Sequence, residues 1–293
     1  MEPHANNTPL IVIAGETASG KTALAIKLAQ QHNGEIICAD SRTVYKGMDI
    51  GTAKPTPAER AAVPHHLIDV VLPDQSFTVA DFKQQALDAI TDISARGRVP
   101  FLVGGTGLYI DAVAYDFDFS TAPTMAERTR LQRMSVQELQ QEILHKGYEL
   151  PQNVQNPRHL MRVIETDGAI AQTKKRALRP NTLLIGLSVD REQLKSKLIK
   201  RVQDMVDNGL VEETQRLVKD YGADAQPLQA TGYKAIRRYL SGELTLEEAK
   251  ADFVRNDLQL AKRQRTWFKR NKSIHWLSKQ EEIEDLITTF LNK

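Results

Sequence analysis

One cysteine, Cys38, stands in 293 residues. That scarcity excludes a disulfide framework and a cysteine-rich zinc site. No apolar run approaches the ~20 residues that a membrane-spanning helix needs, so no membrane partner is expected. Residues 1–9 are polar and hold no apolar core, unlike a secretory signal, and read as a flexible N-terminal tail. Internal repeats and low-complexity tracts are absent too. Charge is nearly balanced, 39 Lys and Arg against 37 Asp and Glu. What remains is a soluble, cytoplasmic, globular chain, expected to be a monomer, with length for one large domain and a smaller one.

The most informative stretch is Gly15-Glu16-Thr17-Ala18-Ser19-Gly20-Lys21-Thr22, directly after the apolar run Leu10–Ala14. It fits G-x-x-x-x-G-K-[ST] between a strand and a helix, the context a phosphate loop requires. Glycines let backbone N–H groups wrap phosphate oxygens. Lys21 adds a point charge, and Thr22 offers a hydroxyl to a phosphate-bound Mg²⁺. A helix over about 21–31 aims its positive end at the same anion. All eight residues are candidate diphosphate ligands. A phosphate loop alone does not say which reaction follows.

A second buried strand, near 35–39, runs into Asp40-Ser41-Arg42-Thr43. Ligands of open α/β sheets bind beyond the C-terminal strand ends, which puts Asp40 beside the phosphate loop. Its carboxylate suits a general base or a water-mediated metal partner, and equally a helix cap. The strand near 99–103 then enters Gly104-Gly105-Thr106-Gly107, which brings further backbone donors and the Thr106 hydroxyl to the same edge.

Further apolar runs near 66–71 and 182–187, with helices between the strands, predict a parallel doubly wound sheet. From 118 to 180 strand signals stop. Helical segments 124–147 and 156–172 carry Arg128, Arg130, Arg133, Arg158 and Arg162. The fold class is therefore α/β. Its P-loop sheet core spans 10–117 and 181–293, with a small all-helical insertion over 118–180. The C-terminal region is helical, with a last short strand near 273–277 and a closing helix.

Two basic clusters stand out, Lys174-Lys175-Arg176 with Arg179, and Lys262, Arg263, Arg265, Lys269, Arg270 and Lys272 around Trp267 and Phe268. Such clusters suit a nucleic-acid backbone. The two aromatics are expected in the core, where large rings usually lie. His65 and His66 point to opposite sides of a strand and lack a third ligand, so they read as structural rather than metal-binding.

In order along the chain, G-x-T-A-S-G-K-T, D-S-R-x-V-Y, K-G-M-D-I-G-T-A-K-P, H-H-L-I-D and G-G-T-G-L-Y resemble the tRNA dimethylallyltransferase family. The likeness continues through Asn156-Pro157-Arg158 with Arg162, Thr231-Gly232-Tyr233-Lys234 and Ala261–Phe268. It covers about Leu10 to Trp276. The resemblance implies transfer of a dimethylallyl group from dimethylallyl diphosphate to the N6-amine of adenosine 37 of tRNA, with release of pyrophosphate. It implies Mg²⁺ as cofactor and Lys21, Asp40 and Thr106 as catalytic residues. By the same likeness Asp40, Ser41, Arg42, Thr43, Thr106, Arg128, Arg158, His159, Leu160, Met161 and Arg162 face tRNA, and the helical insertion grips it.

Three positions depart from the family pattern. Glu16 replaces a common Pro, Thr43 a common Gln, and Gln229 an arginine that assists pyrophosphate departure. Lys234 or Arg237 is expected to take over that duty. Three other readings are a phosphate-loop phosphotransferase, a prenyltransferase acting on free adenine nucleotides, and a non-catalytic RNA-binding protein. The insertion and the basic helix argue against the first two, since small substrates need neither. Lys21 together with Asp40 argues against the third.

Overall fold

The computed structural model describes residues 8–119, 125–168 and 177–293. Most of the N-terminal tail and the cluster Lys174-Lys175-Arg176 lie outside the described residues. The chain forms two compact units, Met1–Ala114 with Arg179–Lys293, and Tyr115–Leu178.

Elements follow in the order β1 (Leu10–Gly15), α1 (Lys21–Gln31), β2 (Gly34–Cys38), α2 (Pro57–Ala62), β3 (His65–His66), α3 (Val79–Ala95), β4 (Val99–Gly104) and α4 (Gly107–Ala114). The second unit supplies α5 (Met125–Gln132), α6 (Val136–His145) and α7 (Pro157–Glu165). The first unit resumes with β5 (Thr182–Leu187), α8 (Arg191–Asp207), α9 (Leu210–Tyr221), α10 (Thr231–Leu240), α11 (Leu246–Lys269), β6 (His275–Leu277) and α12 (Gln280–Leu291).

The six strands form one sheet in the order β3-β2-β4-β1-β5-β6, every pair parallel. Each residue of β1 and β2 is buried, as in a sheet covered on both faces, and the one charged member, Glu35, is paired with His66 and Arg96. Alternate residues share a face. Ile11, Ile13, Ile36, Phe101, Val103, Leu183 and Ile185 pack with Leu28 of α1 and Ile287 of α12. Burying one such side chain is worth about 1.5–3 kcal/mol, so Phe101→Ala would cost about 3–5 kcal/mol.

The expected strand over 66–71 is reduced to His65–His66, with an isolated bridge from Tyr45 to Val71. Leu67 and Asp69 adopt left-handed backbone, which breaks the ladder. His66 Nε2 meets Glu35 at 2.6 Å and His65 Nδ1 meets the Val63 carbonyl at 2.7 Å.

In the second unit Leu131, Leu139, Ile143, Leu160, Val163 and Ile164 form the core. The helix expected over 124–147 divides, because Ser135 and Glu138 form a capping box that starts α6. Asn156 caps α7 and Pro157 occupies its first turn. That helix ends at Glu165 instead of running to 172, since Asp167 turns left-handed at φ 49°; residues 169–172 lie outside the described residues.

Candidate active site

The phosphate loop is built as its sequence requires. Ala18 and Gly20 take positive φ, 58° and 87°. Such left-handed turns let a loop present successive N–H groups to an anion. At Gly20 the conformation suits glycine, while at Ala18 it stores backbone strain of the kind found at ligand sites. Helix α1 begins directly after, at Lys21. Lys21 Nζ donates to the Glu16 carbonyl at 3.1 Å. Desolvation pulls the Lys21 ammonium down to about 8, and the nearby Arg201 charge adds to the fall, while Asp40 and Glu16 oppose it. Ser19 Oγ is buried without a partner among the described residues.

Two neighbouring strand ends complete the site. Asp40 follows β2, and its Oδ1 accepts the Arg42 N–H at 2.8 Å. It therefore braces a turn over 41–44, and no helix begins there for it to cap. Thr106 follows β4, and its Oγ1 accepts the Ser41 N–H at 3.0 Å. Gly104 lets the two ends approach, since a Cβ there would fall on the Ala39 carbonyl.

These ends open on a cavity of about 1320 Å³, lined by Thr17, Ala18, Gly20, Lys21 and Thr22 of the loop and by Asp40, Ser41, Arg42, Thr43 and Thr106. Gly15, Glu16 and Ser19 are not among its lining residues. Cys38 also lines it, with its thiol pushed up to about 12 by burial.

The K-G-M-D-I-G-T-A-K-P stretch forms one wall, and its rigidity has a clear source. Glu213 of α9 accepts the N–H groups of Asp49, Ile50 and Gly51 at 2.9–3.1 Å. Tyr233 of α10 donates its hydroxyl to the same carboxylate at 2.6 Å. Lys54, almost fully buried, donates to the Tyr45 carbonyl at 2.6 Å, Asp49 at 2.8 Å and Asp69 at 2.5 Å. Burying this ammonium is tolerable only with such a set of acceptors.

Neither cation expected to stand in for the missing arginine lines this cavity. Gln229 does line the cavity, but Lys234 is exposed and Arg237 lies 3.6 Å from Asp224; neither borders the site. Arg201 of α8 does, and its Nη1 donates to Thr17 Oγ1 at 3.0 Å. A second unanticipated group is Asp257 of α11, 3% exposed, which accepts the Thr231 hydroxyl at 2.6 Å. Burial raises its carboxyl above the ordinary range. Neither residue belongs to a local motif; only the packing of α8 and α11 brings them to the cavity.

Among the residues expected to face tRNA, Arg128, Arg158 and His159 are exposed in the second unit. Arg162 is half-buried, with Nη1 3.5 Å from Glu165. Leu160 is fully buried in that unit's core, which corrects its expected role as an RNA contact. On α11, Phe268 is buried as expected, whereas Trp267 is 39% exposed. Successive helix residues point in different directions, and Trp267 Nε1 donates to Asp111 at 3.0 Å. Trp267 lines a surface cavity of about 450 Å³ with Lys262, Arg263 and Arg270.

Fold and site define a phosphate-loop α/β protein that can hold a diphosphate beside a carboxylate and a hydroxyl. The family model described as IPP transferase matches residues 43–271. The tRNA dimethylallyltransferase of Anoxybacillus flavithermus is 41% identical over 283 residues, 93% of this chain and 91% of that protein. That of Staphylococcus aureus is 40% identical, over 97% of this chain and 98% of its own. Among solved structures, the tRNA isopentenylpyrophosphate transferase of Bacillus halodurans superposes with a TM-score of 0.76 at 38% identity, covering 98% and 97% of the two chains. A eukaryotic dimethylallyltransferase solved acting on tRNA gives 0.76 at 26% identity, over 93% and 74%. The chain belongs to the IPP transferase family. No helix among its described residues is long and apolar enough to cross a membrane.

Proposed function

We propose that this chain is a tRNA dimethylallyltransferase, which moves a dimethylallyl group from dimethylallyl diphosphate to the N6-amine of adenosine 37 of tRNA. The observation that carries this reading is the gathering of Lys21, Asp40 and Thr106 on one cavity in a member of this family. The diphosphate rests on the phosphate loop. The target base leaves its stack to reach the cavity, because its exocyclic amine is inaccessible within a stacked strand. The N6 lone pair forms a bond to the allylic carbon, and the carbon–oxygen bond breaks toward the diphosphate. Asp40 takes the amine proton. Lys21, Arg201 and the Thr106 hydroxyl stabilise the charge that grows on the leaving pyrophosphate.

Mg²⁺ fits this site. The cavity offers hard oxygen donors, the Thr22 hydroxyl and the Asp40 carboxylate. No cluster of three or more His, Cys, Asp or Glu that could hold a metal occurs among the described residues. That sparse donor set suits an ion that keeps its waters and binds largely through phosphate oxygens. Thr22 would hold it, and it would neutralise diphosphate charge.

In the second unit exposed Arg128, Arg158 and His159 supply cations for an RNA backbone, and in the first unit the patch around Trp267 supplies cations and a ring. The second unit is the tRNA-gripping part in this reading, and the protein works as a cytoplasmic monomer. Labelled dimethylallyl diphosphate, offered to unmodified tRNA with ATP and AMP in competition, tests the assignment. Label should move to tRNA alone. Transfer to AMP, or phosphoryl transfer from ATP, would refute it.

A further inference from the structure

Glu16 is an acidic residue inside an anion-binding loop, yet it is 4% exposed and does not line the cavity. Its carboxylate is held by Arg265 of α11, whose Nε and Nη2 donate to Oε2 and Oε1 at 2.9 and 2.5 Å. Arg265 also donates to the Val189 carbonyl at 3.2 Å. Beside it, Gln264 Oε1 accepts the Thr17 N–H at 2.9 Å, and Gln264 Nε2 donates to the Gly105 carbonyl at 2.9 Å. Two adjacent residues of one helix thus hold two adjacent residues of the loop, and one of them also ties the second glycine turn.

The Glu16 carbonyl and the Thr17 N–H belong to one peptide unit. In a planar trans peptide these two groups point in opposite directions. Gln264 takes the N–H on one side, so the carbonyl faces the other, where Lys21 Nζ meets it at 3.1 Å. The orientation of this peptide therefore sets where the Lys21 ammonium rests. Arg265 neutralises the Glu16 carboxylate, which does not line the cavity. A bidentate guanidinium–carboxylate pair is geometrically specific as well as strong.

We propose that Gln264 and Arg265 are positioning residues for the phosphate loop, with Glu16 as the handle by which α11 holds it. Arg265 thereby leaves the set of basic residues read as RNA contacts, although Lys262 and Arg263 on the same helix and Arg270 just past its end stay in it. The proposal rests on the loop being the diphosphate site.

The test uses the full chain and magnesium pyrophosphate as probe, with binding measured by calorimetry and tRNA affinity measured alongside. Arg265→Met and Gln264→Ala should each weaken pyrophosphate binding by about tenfold, the scale of removing a group that orients a ligand. Affinity for tRNA should stay within about twofold. Glu16→Arg with Arg265→Glu should recover part of the loss, because the pair is re-formed with its charges exchanged while the Val189 carbonyl loses its donor. Should Arg265→Met fail to fold, Arg265→Lys and Gln264→Ala carry the same test. Weaker tRNA binding with unchanged pyrophosphate affinity would overturn the proposal and return Arg265 to the RNA surface. A charge exchange as weak as the single variant would also overturn it. Failure of the unsubstituted protein to bind pyrophosphate would overturn the diphosphate reading itself, a separate result.

Discussion

Thr106 Oγ1 accepts the Ser41 N–H at 3.0 Å, a bond that ties the end of β4 to the turn after β2. With its oxygen engaged this way, the Thr106 hydroxyl is oriented and its own proton can be donated into the cavity. Thr106→Val removes donor and acceptor at nearly constant shape. Single-turnover transfer should fall by about 10²–10³, the usual scale for losing one preorganised donor. Thr106→Ser should stay within about tenfold of the parent. Full activity in the Val variant would reduce Thr106 to a structural tie.

Lys21 provides a pH signature. Its ammonium loses its proton near 8 in the folded protein, chiefly through desolvation. The charged form exists below that value and is lost above it. Affinity for magnesium pyrophosphate should therefore decline as pH rises through about 8. In Lys21→Ala that step should vanish, with transfer reduced by about 10²–10³ and tRNA binding little changed. A Lys21→Ala variant that keeps turnover but loses tRNA would move the diphosphate elsewhere.

Asp40→Asn separates base from metal partner. The Asn oxygen can still accept the Arg42 N–H, so the turn survives. The amide cannot take a proton. Single-turnover transfer on bound tRNA should drop by at least about 10². Raising magnesium should not restore it, and affinity for dimethylallyl diphosphate should change only modestly. Recovery across a magnesium series would place Asp40 in the metal's water shell instead.

Asp257 bears on stability. Its folded carboxyl titrates above the ordinary value because it is buried. The folded state therefore binds this proton more tightly than the unfolded chain does. The resulting stabilisation is complete below the ordinary carboxylate value and is lost as pH rises through the raised one. Asp257→Asn keeps an acceptor for the Thr231 hydroxyl and removes the charge. At neutral pH its melting temperature should rise, by about 2–4 °C per kcal/mol for a chain near this size. The gain should disappear in acid. A lower melting temperature at neutral pH would mean that Arg201 compensates the charge fully.

Much of the site was legible because its parts are local. A phosphate loop needs its glycines, Lys21 and Thr22 within eight consecutive positions, so the pattern is visible in one window. Strand runs such as Leu10–Gly15 show themselves for a similar reason, since a sheet covered on both faces demands unbroken apolar stretches. Asp40 and Thr106 followed from the rule that ligands gather at strand ends.

Other residues owe their roles to partners far along the chain. Arg201 and Asp257 reach the cavity from α8 and α11, and no local pattern separates them from the other charges of those helices. Trp267 and Phe268 are neighbours in sequence, yet one faces solvent and the other the core. Glu16 read alone is a negative charge misplaced beside phosphate. Its partner Arg265 lies 249 positions away. Local spacing determined which groups could bind phosphate, because backbone geometry acts within one loop. Which charges are neutralised, and which peptide is held facing Lys21, was decided only when α11 packed against that loop, because Coulomb and hydrogen-bond terms depend on distance in space.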